Sequence, residues 1–581
     1  VDPVQKATQH VFSLFSAGDY RRAVMEASRL AARFPNNAEL QYRMGTVLQS
    51  CEAYADAVVL FRRALGSAPE RGEWNAELTG ALITLRRYEE ARIALDSGLE
   101  SHPNQPGLLM AGSLLAQAVG GIDEALKFAE KVFAAEPDNE LHATNLLQVL
   151  FLVDQGRAEE FYIEHIQRYP DSLRFRRLFA FEQLYWEDVT ESEVVARIWE
   201  CGQQMESQIP EWQDFPNVRE PKKKLKVGVL SPDLRTHSVA FFLLPLLRNL
   251  SSNDFELYFY PLSSQFDDFS REFKKLGKWM DFKPMNAMEF CDRIRKDRLD
   301  VLIETGGMTR GARPEILAMQ PAPVQISMIG FPHGLGLKRV TARIGDSFVD
   351  TPERDGDYAE TVFRVSEPFL CYESLGRYPD LTKRPAGAPV MFCTMNSARK
   401  IGPRLLAVWK RILDQVPGSR LLVKCHHPDH MVETEALHRR IDDAGLTERV
   451  DWVEGTVSQD DHRRVYLNVD IALDSYPYNG TTTTIEALLM GVPVITRCGD
   501  AHRSRVTPMM LRQIGKHDWI AEDEDGYVQN AVRLAGEVER VRTERGDLRN
   551  LVEQSALMDG PAYGQKLGAA IRAIWTAECR R

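Results

Sequence analysis

The sequence predicts an all-helical tandem array followed by a two-lobed α/β region with parallel sheets. Three observations carry this expectation. Ala23, Ala57, Ala91 and Ala125 recur at a spacing of 34 residues. From Leu225 onward, short apolar runs alternate with helical stretches. A Pro- and Gly-containing connector, Gly376–Ala388, separates two sets of such runs.

Two further positions share the first period. Tyr20, Tyr54, Tyr88 and Ile122 lie three residues before the alanines, and Pro35, Pro69, Pro103 and Pro137 lie twelve after. A 34-residue helix–turn–helix unit is the tetratricopeptide (TPR) period. The small Ala lets paired helices approach, the aromatic fills the groove beside it, and Pro ends the second helix. Gly45 and Phe61 fall on two more positions of that pattern, and residues 139–171, with Ala158 and Pro170 one residue early, form a degenerate capping repeat. The array is assigned to residues 1–171. A stacked array offers a concave surface for a peptide or protein, or serves as a packing platform. Gln41 and Asn75 are expected on its concave helices.

Residues 172–224 form a helical connector and linker. Their three late prolines and the Lys222–Lys224 run read as a solvated linker face. Strands are then predicted at Leu225–Ser231, Glu256–Leu262, Asp300–Glu304 and Val324–Ile329 in a first lobe, residues 225–380. Others follow at Val390–Met395, Arg420–Cys425, Val450–Val453, Ile471–Asp474 and Val492–Arg497 in a second lobe, residues 389–581. Strands of this length alternating with helices argue parallel sheets covered on both faces.

Composition bounds the function. A length of 581 residues implies several domains, and 44% hydrophobic with 27% charged residues is ordinary for a folded soluble protein. A net charge of −11 argues against general nucleic-acid binding, which needs a basic face. The eight cysteines form no close pair, against a disulfide framework or a cysteine zinc site, so a cytoplasmic location is expected. No apolar run approaches the ~20 residues of a membrane span, and Val1–Gln9 lacks a signal-peptide layout.

Ligands of doubly wound sheets sit at the carboxyl ends of the strands. There, Val390–Met395 runs into Asn396-Ser397-Ala398-Arg399-Lys400, and Ile471–Asp474 into Ser475-Tyr476-Pro477-Tyr478-Asn479-Gly480 and four threonines, Thr481–Thr484. Glycine and hydroxyls at a helix start present free N–H groups to an anion, and Lys400 adds a point charge. Together they could hold a diphosphate without metal; the plainer alternative is a turn and a helix cap. No GxxxxGK[ST] occurs, which removes the P-loop. Past the first strand, His237 is placed near the cleft, as a base on an acceptor or as a group orienting it. His426-His427-Pro428-Asp429-His430 resembles a metal cluster, but Pro428 forbids a continuous helical pair of ligands. Asp355-Gly356-Asp357 and Asp523-Glu524-Asp525 read as solvated acidic loops. His502 and Arg503 flank the phosphates or belong to a polar loop, and Tyr476 and Tyr478 are wall residues.

In order along the chain, the repeats, Ser231-Pro232-Asp233…His237-Ser238, Gly306-Gly307-Met308-Thr309-Arg310-Gly311-Ala312-Arg313, Gln320-Pro321-Ala322-Pro323, Asn396…Lys400, Asp474…Thr483 and Ser504-Arg505-Val506 resemble the O-GlcNAc transferase family, above all its bacterial TPR-containing members. The resemblance implies a GT-B architecture of two Rossmann-like lobes. It implies inverting transfer of a sugar, GlcNAc, from a UDP-sugar to Ser or Thr of a protein acceptor, with no metal or other cofactor. It also implies an acceptor held by the array, with flagellin or another surface protein as a candidate.

Carried over, Lys400 neutralises the leaving diphosphate, with Asn396 alongside and Ser397 near the uridine. Asn479, Gly480, Thr481, Thr482 and Thr483 form the phosphate turn, and Glu486 bonds the ribose. Val457 to Gln459 face the uracil, with His462 beside it, and His237 lines the sugar–acceptor site. The chain departs from the family at Pro332-His333-Gly334-Leu335-Gly336, a loop implied to meet the sugar. It departs also at Ser397, where a Gln is usual, at Thr481, at Glu486 in place of Asp, and at Val465 in place of an Arg that Arg464 could replace. Transfer to an Asn amide and an inactive TPR scaffold are the alternative readings.

Overall fold

The structure is a computed structural model describing residues 3–580 apart from 213, 283–284, 425–430, 454 and 457. It divides into two compact units, residues 1–175 with 427–436, and residues 176–426 with 437–581.

In the first unit, helices Tyr20–Arg33, Tyr54–Ser67, Tyr88–Ser101 and Ile122–Ala135 begin at the four period-34 aromatic or apolar positions. Each is paired with a preceding or following helix, such as Ala38–Ser50 and Pro106–Val119. Two of these starts are set by side chains: Asp19 accepts from the Arg22 N–H and Asn37 from the Leu40 N–H. Ala23, Ala57, Ala91 and Ala125 are all fully buried, as a helix–helix contact limited to a methyl group requires. At Gly45 even that methyl is excluded, since a Cβ there would lie 2.7 Å from the Phe61 ring. Gly112 and Phe128 repeat this contact, with the ring 2.9 Å from an added Cβ. Gln41 and Asn75 do not present a concave surface. Both are buried, with Gln41 Nε2 donating to the Ala31 carbonyl at 2.7 Å and Asn75 Nδ2 to the Gly72 carbonyl at 3.1 Å.

The second unit contains, among the described residues, two sheets whose strand pairs are all parallel. The first comprises β1 (Leu225–Ser231), β2 (Phe255–Pro261), β3 (Lys278–Trp279), β4 (Val301–Glu304), β5 (Val324–Ser327), β6 (Ala342–Asp346) and β7 (Thr361–Val365). The second comprises β8 (Met391–Thr394), β9 (Arg420–Val423), β10 (Val450–Trp452), β11 (Ile471–Leu473), β12 (Val494–Arg497) and β13 (Ile520–Ala521). Their orders are β3-β2-β1-β4-β5-β6-β7 and β10-β9-β8-β11-β12-β13. Both sheets therefore reverse direction of travel between their first and fourth strands, and a crevice opens at the carboxyl ends there.

β3, β6, β7 and β13 are additional to the strands expected from hydropathy. β6 carries the buried Arg343 and Asp346, which interrupt its apolar run, and β3 and β13 have two residues each. The connector stretch is largely built into this unit: Trp199, on helix Glu191–Gln208, donates through its indole N–H to the Asp357 carbonyl at 2.9 Å. No helix among the described residues is long and apolar enough to cross a membrane.

The last helix, Gly560–Glu578, returns from the second lobe to the first. Arg572 donates to the Lys223 carbonyl at 2.6 Å, Trp575 Nε1 to that of Glu220 at 3.0 Å, and Lys566 to that of Pro368 at 2.9 Å. The helix comes so near helix Ser238–Arg248 that a Cβ on Gly564 would sit 2.5 Å from the Asn249 carbonyl oxygen. Gly564→Val is therefore expected to destabilise the second unit by about 1–3 kcal/mol, the usual cost of overpacking. Urea unfolding measures this, and an unchanged midpoint would show that the helix does not depend on that contact.

Candidate active site

β8 and β11 are neighbours at the reversal point of the second sheet, and their following loops converge on Asp474. This buried carboxylate accepts from the N–H groups of Ser475 at 2.9 Å and Gly480 at 2.7 Å, and from the Thr496 hydroxyl at 2.8 Å. Asn396 Nδ2 donates to it at 3.4 Å, and the side-chain Oδ1 of Asn396 accepts from the Thr483 hydroxyl at 3.1 Å. The buried Asn479 side chain donates to the Ser475 carbonyl at 3.0 Å. Gly480 leaves no room for a side chain, because a Cβ would lie 2.4 Å from Thr483 Oγ1.

The loop so formed feeds helix Thr482–Leu489, whose N-cap, Thr481, makes no side-chain capping bond. The N–H groups of Thr482 and Thr483 find no acceptor among the described residues, and the buried Thr482 hydroxyl also lacks a partner. The threonines are thus not a cap. They leave donors and the positive end of a helix dipole unspent. Lys400 arrives from the β8 side: its Nζ donates to the Asn479 carbonyl at 2.7 Å and stands 3.8 Å from the centre of the Tyr478 ring. Burial holds the ammonium down to about 8, with Asp474 acting in the opposite direction. This arrangement can receive an anion with several oxygens.

One turn into the helix, the buried Glu486 meets His462 Nε2 at 3.1 Å and the Tyr372 hydroxyl at 3.4 Å. Gln459 starts the helix that carries His462, and its side-chain Oε1 accepts from Arg463 Nη2 at 3.4 Å. Arg463 is buried over the Tyr378 ring, whereas Arg464 is exposed and bonded to Asp460 at 2.9 Å. Among the described residues, the bonded partner of Arg464 is Asp460 and none of the gathered side chains. Ser397 is exposed at the start of the turn leading to Lys400. Val457 lies outside the described residues, as does the His426–His430 stretch.

In the first lobe, His237 is the N-cap of helix Ser238–Arg248. Its Nδ1 is 3.3 Å from the Val239 nitrogen and 3.3 Å from an oxygen of the buried Asp233. Burial lowers the His237 pKa, and Asp233 opposes this. Glu304 ends β4, beside β1, and accepts from the N–H groups of Gly306 and Gly307; burial raises its carboxyl to about 7. Residues 332–336 are buried, tied by Arg343 to the His333 carbonyl at 2.6 Å and by the Leu335 N–H to Glu360 at 2.5 Å.

The lobes also meet where His502 Nδ1 lies 2.9 Å from Asp350, and Arg503 pairs with Glu191 of the connector at 2.8 Å. The acidic doublets are engaged elsewhere: Asp357 pairs with Arg354 and Asp525 with Arg411, each at 2.5 Å, while Asp523 caps its helix. Asp474, Tyr372 and Arg463 were not among the site residues expected from the sequence, although Asp474 opens one of the segments that carry the family resemblance. A charged residue closing the apolar run Ile471–Leu473 is the signal that marks Asp474.

A model of glycosyl transferase family 41 matches residues 207–388 and 378–567, and a tetratricopeptide-repeat model matches residues 52–118. The "probable UDP-N-acetylglucosamine–peptide N-acetylglucosaminyltransferase SPINDLY" of Petunia hybrida is 34% identical over 377 residues, 64% of this chain and 40% of that protein. Its rice namesake is 30% identical over 458 residues, 78% of this chain and 46% of that protein. The chain thus spans less than half the length of these relatives. A mutant O-GlcNAc transferase from Thermobaculum terrenum has a similar fold, with a TM-score of 0.65 and 23% identity over 99% of this chain and 98% of that one.

Asp474→Ala would orphan the Gly480 and Ser475 N–H groups and the Thr496 hydroxyl together. At ~1–3 kcal/mol for each unpaired buried group, a loss of at least ~3 kcal/mol is expected. Chemical denaturation reports it, and a loss under ~1 kcal/mol would mean that the loop holds its shape without this carboxylate.

Proposed function

The chain belongs to glycosyl transferase family 41, and from that premise we propose that it transfers GlcNAc from UDP-GlcNAc to Ser or Thr hydroxyls of a protein, with inversion and without a metal. The names of the SPINDLY relatives support the donor and the protein acceptor. The observation that carries the reading is the pairing of Lys400 with the free N–H groups of Thr482 and Thr483 around the Asn479–Gly480 turn.

In this mechanism the acceptor oxygen attacks the anomeric carbon from the face opposite the diphosphate. The bond to the phosphate oxygen breaks, and its electron pair passes to the leaving UDP. The developing charge meets Lys400 and the helix N–H groups, preorganised donors that need no rearrangement. Glu486 and His462 hold the nucleoside, and His237 works on the acceptor side. The repeat array guides the acceptor protein.

Lys400→Ala should slow transfer about 10²–10³-fold, the cost of losing one preorganised charge-stabilising contact. Transfer is read by mass spectrometry of a proteome incubated with UDP-GlcNAc, with EDTA present in a parallel arm. A variant within about threefold of the wild-type rate would refute the role of Lys400. Loss of transfer on chelation, restored by a divalent ion, would refute the metal-free reading.

The lowered Lys400 pKa adds a pH test. Raising pH through about 8 discharges the free ammonium, so UDP should bind progressively more weakly above that value. Lys400→Arg, which stays charged, should flatten the dependence. Isothermal titration at successive pH values decides it: a flat wild-type profile would place Lys400 away from the phosphates.

A further inference from the structure

We propose that Tyr185, on the connector and outside both lobes, is a positioning residue for Lys400: its ring braces Tyr478, and Tyr478 in turn holds the ammonium at the phosphate turn. The consequence for UDP rests on the transferase reading; the consequence for Lys400 itself does not.

The chain of contacts is short. Lys400 Nζ stands 3.8 Å from the centre of the Tyr478 ring. The Tyr185 ring is stacked against Tyr478, with centroids 5.3 Å apart and planes 25° from parallel. Tyr185 is itself fixed by two neighbours. Phe181 meets it edge-on at 5.5 Å, and the Arg399 guanidinium lies 5.8 Å from its ring centre. Arg399 precedes Lys400 in the chain and donates at 2.7 Å to Glu182, which is buried at the end of helix Leu173–Glu182. The connector thus grips both the residue before the lysine and the ring beside its ammonium.

An ammonium carries three protons and no lone pair. One goes to the Asn479 carbonyl at 2.7 Å, and Tyr478 offers an electron-rich face in place of a second acceptor. Neither contact neutralises the charge, so it stays available to an anion. Tyr478 is partly exposed, and the flat contact with Tyr185 is what limits the turning of its ring.

Without that brace Tyr478 turns into the vacated space, and water reaches Lys400. Burial is the larger influence on this group, so its pKa then rises from about 8 toward the ordinary lysine range. The charged groups around the stack are Asp474 at the end of β11, Arg399 with Glu182, and Arg503, which acts on Tyr478. Substitution of Tyr185 leaves all of them in the chain, so a changed titration reports the stack.

Carbon-13 NMR of protein labelled at lysine Cε follows the titration of Lys400 without any substrate, its signal being assigned through the loss in Lys400→Arg. Wild type and Tyr185→Phe, which keeps the ring, are expected to titrate alike, at about 8. In Tyr185→Leu the titration should move up toward the lysine range. Its UDP affinity at neutral pH should fall about 5–30-fold, the share of a cation–π contact held out of water. Tyr185→Met, whose flexible chain fills gaps, takes the place of the leucine variant if that one does not fold. An unchanged Lys400 titration in the Leu or Met variant, or a Phe variant that behaves like them, would overturn the proposal. A purely structural role would lower the melting temperature and leave the titration where it is. If UDP binds none of these proteins while Lys400 responds as expected, the transferase reading falls and the role of Tyr185 stands.

Discussion

The second lobe is organised around one buried negative charge. Asp474 draws in backbone N–H groups from its own loop, the hydroxyl of Thr496 on β12, and the amide of Asn396 beyond β8. A carboxylate in such a place needs several donors to offset its desolvation, and the shape of the loop follows from that need. Gly480 is pressed so close to the threonines that it admits no side chain, and the helix beyond begins with its own donors unspent. The anion site is therefore what remains after Asp474 has been satisfied. Its charge is internal and directed inward, while the donors that face outward are left for a ligand.

The parts of the fold that obey a period were legible in the sequence. Ala23, Ala57, Ala91 and Ala125 mark helix contacts that leave room for one methyl group, and only geometry repeats them every 34 residues. The Gly112–Phe128 contact escaped because it is displaced by one residue from the register of Gly45 and Phe61. Gln41 and Asn75 escaped for a different reason: their polarity pointed to a surface, but each satisfies carbonyls inside the array. β6 was hidden by Arg343 and Asp346, whose burial depends on partners far along the chain, among them His502.

At the site, residues adjacent in sequence were legible and those joined only by the fold were not. The Asn479–Thr483 turn and Lys400 could be placed from local patterns, and they share the Asn479 carbonyl. The approach of His462 to Glu486, and of Tyr372 to the same carboxylate, depends on packing between separate segments. The misplacing of Arg464 turns on helix phase, since one residue rotates a side chain by about 100°. Arg463 takes the inward direction and Arg464 the outward one.

The returning helix Gly560–Glu578 has a kinetic meaning. The bond from Arg572 to the Lys223 carbonyl closes a separation of 349 residues. Contacts that distant must wait for the chain between them, and they slow folding because loop closure comes before the gain. During synthesis, the surface around helix Ser238–Arg248 leaves the ribosome long before the helix that covers it. Until that helix is made, the apolar side of helix Ser238–Arg248 has no cover from it. The two lobes are thus joined not only as halves of one cleft but by a contact that spans the chain between them.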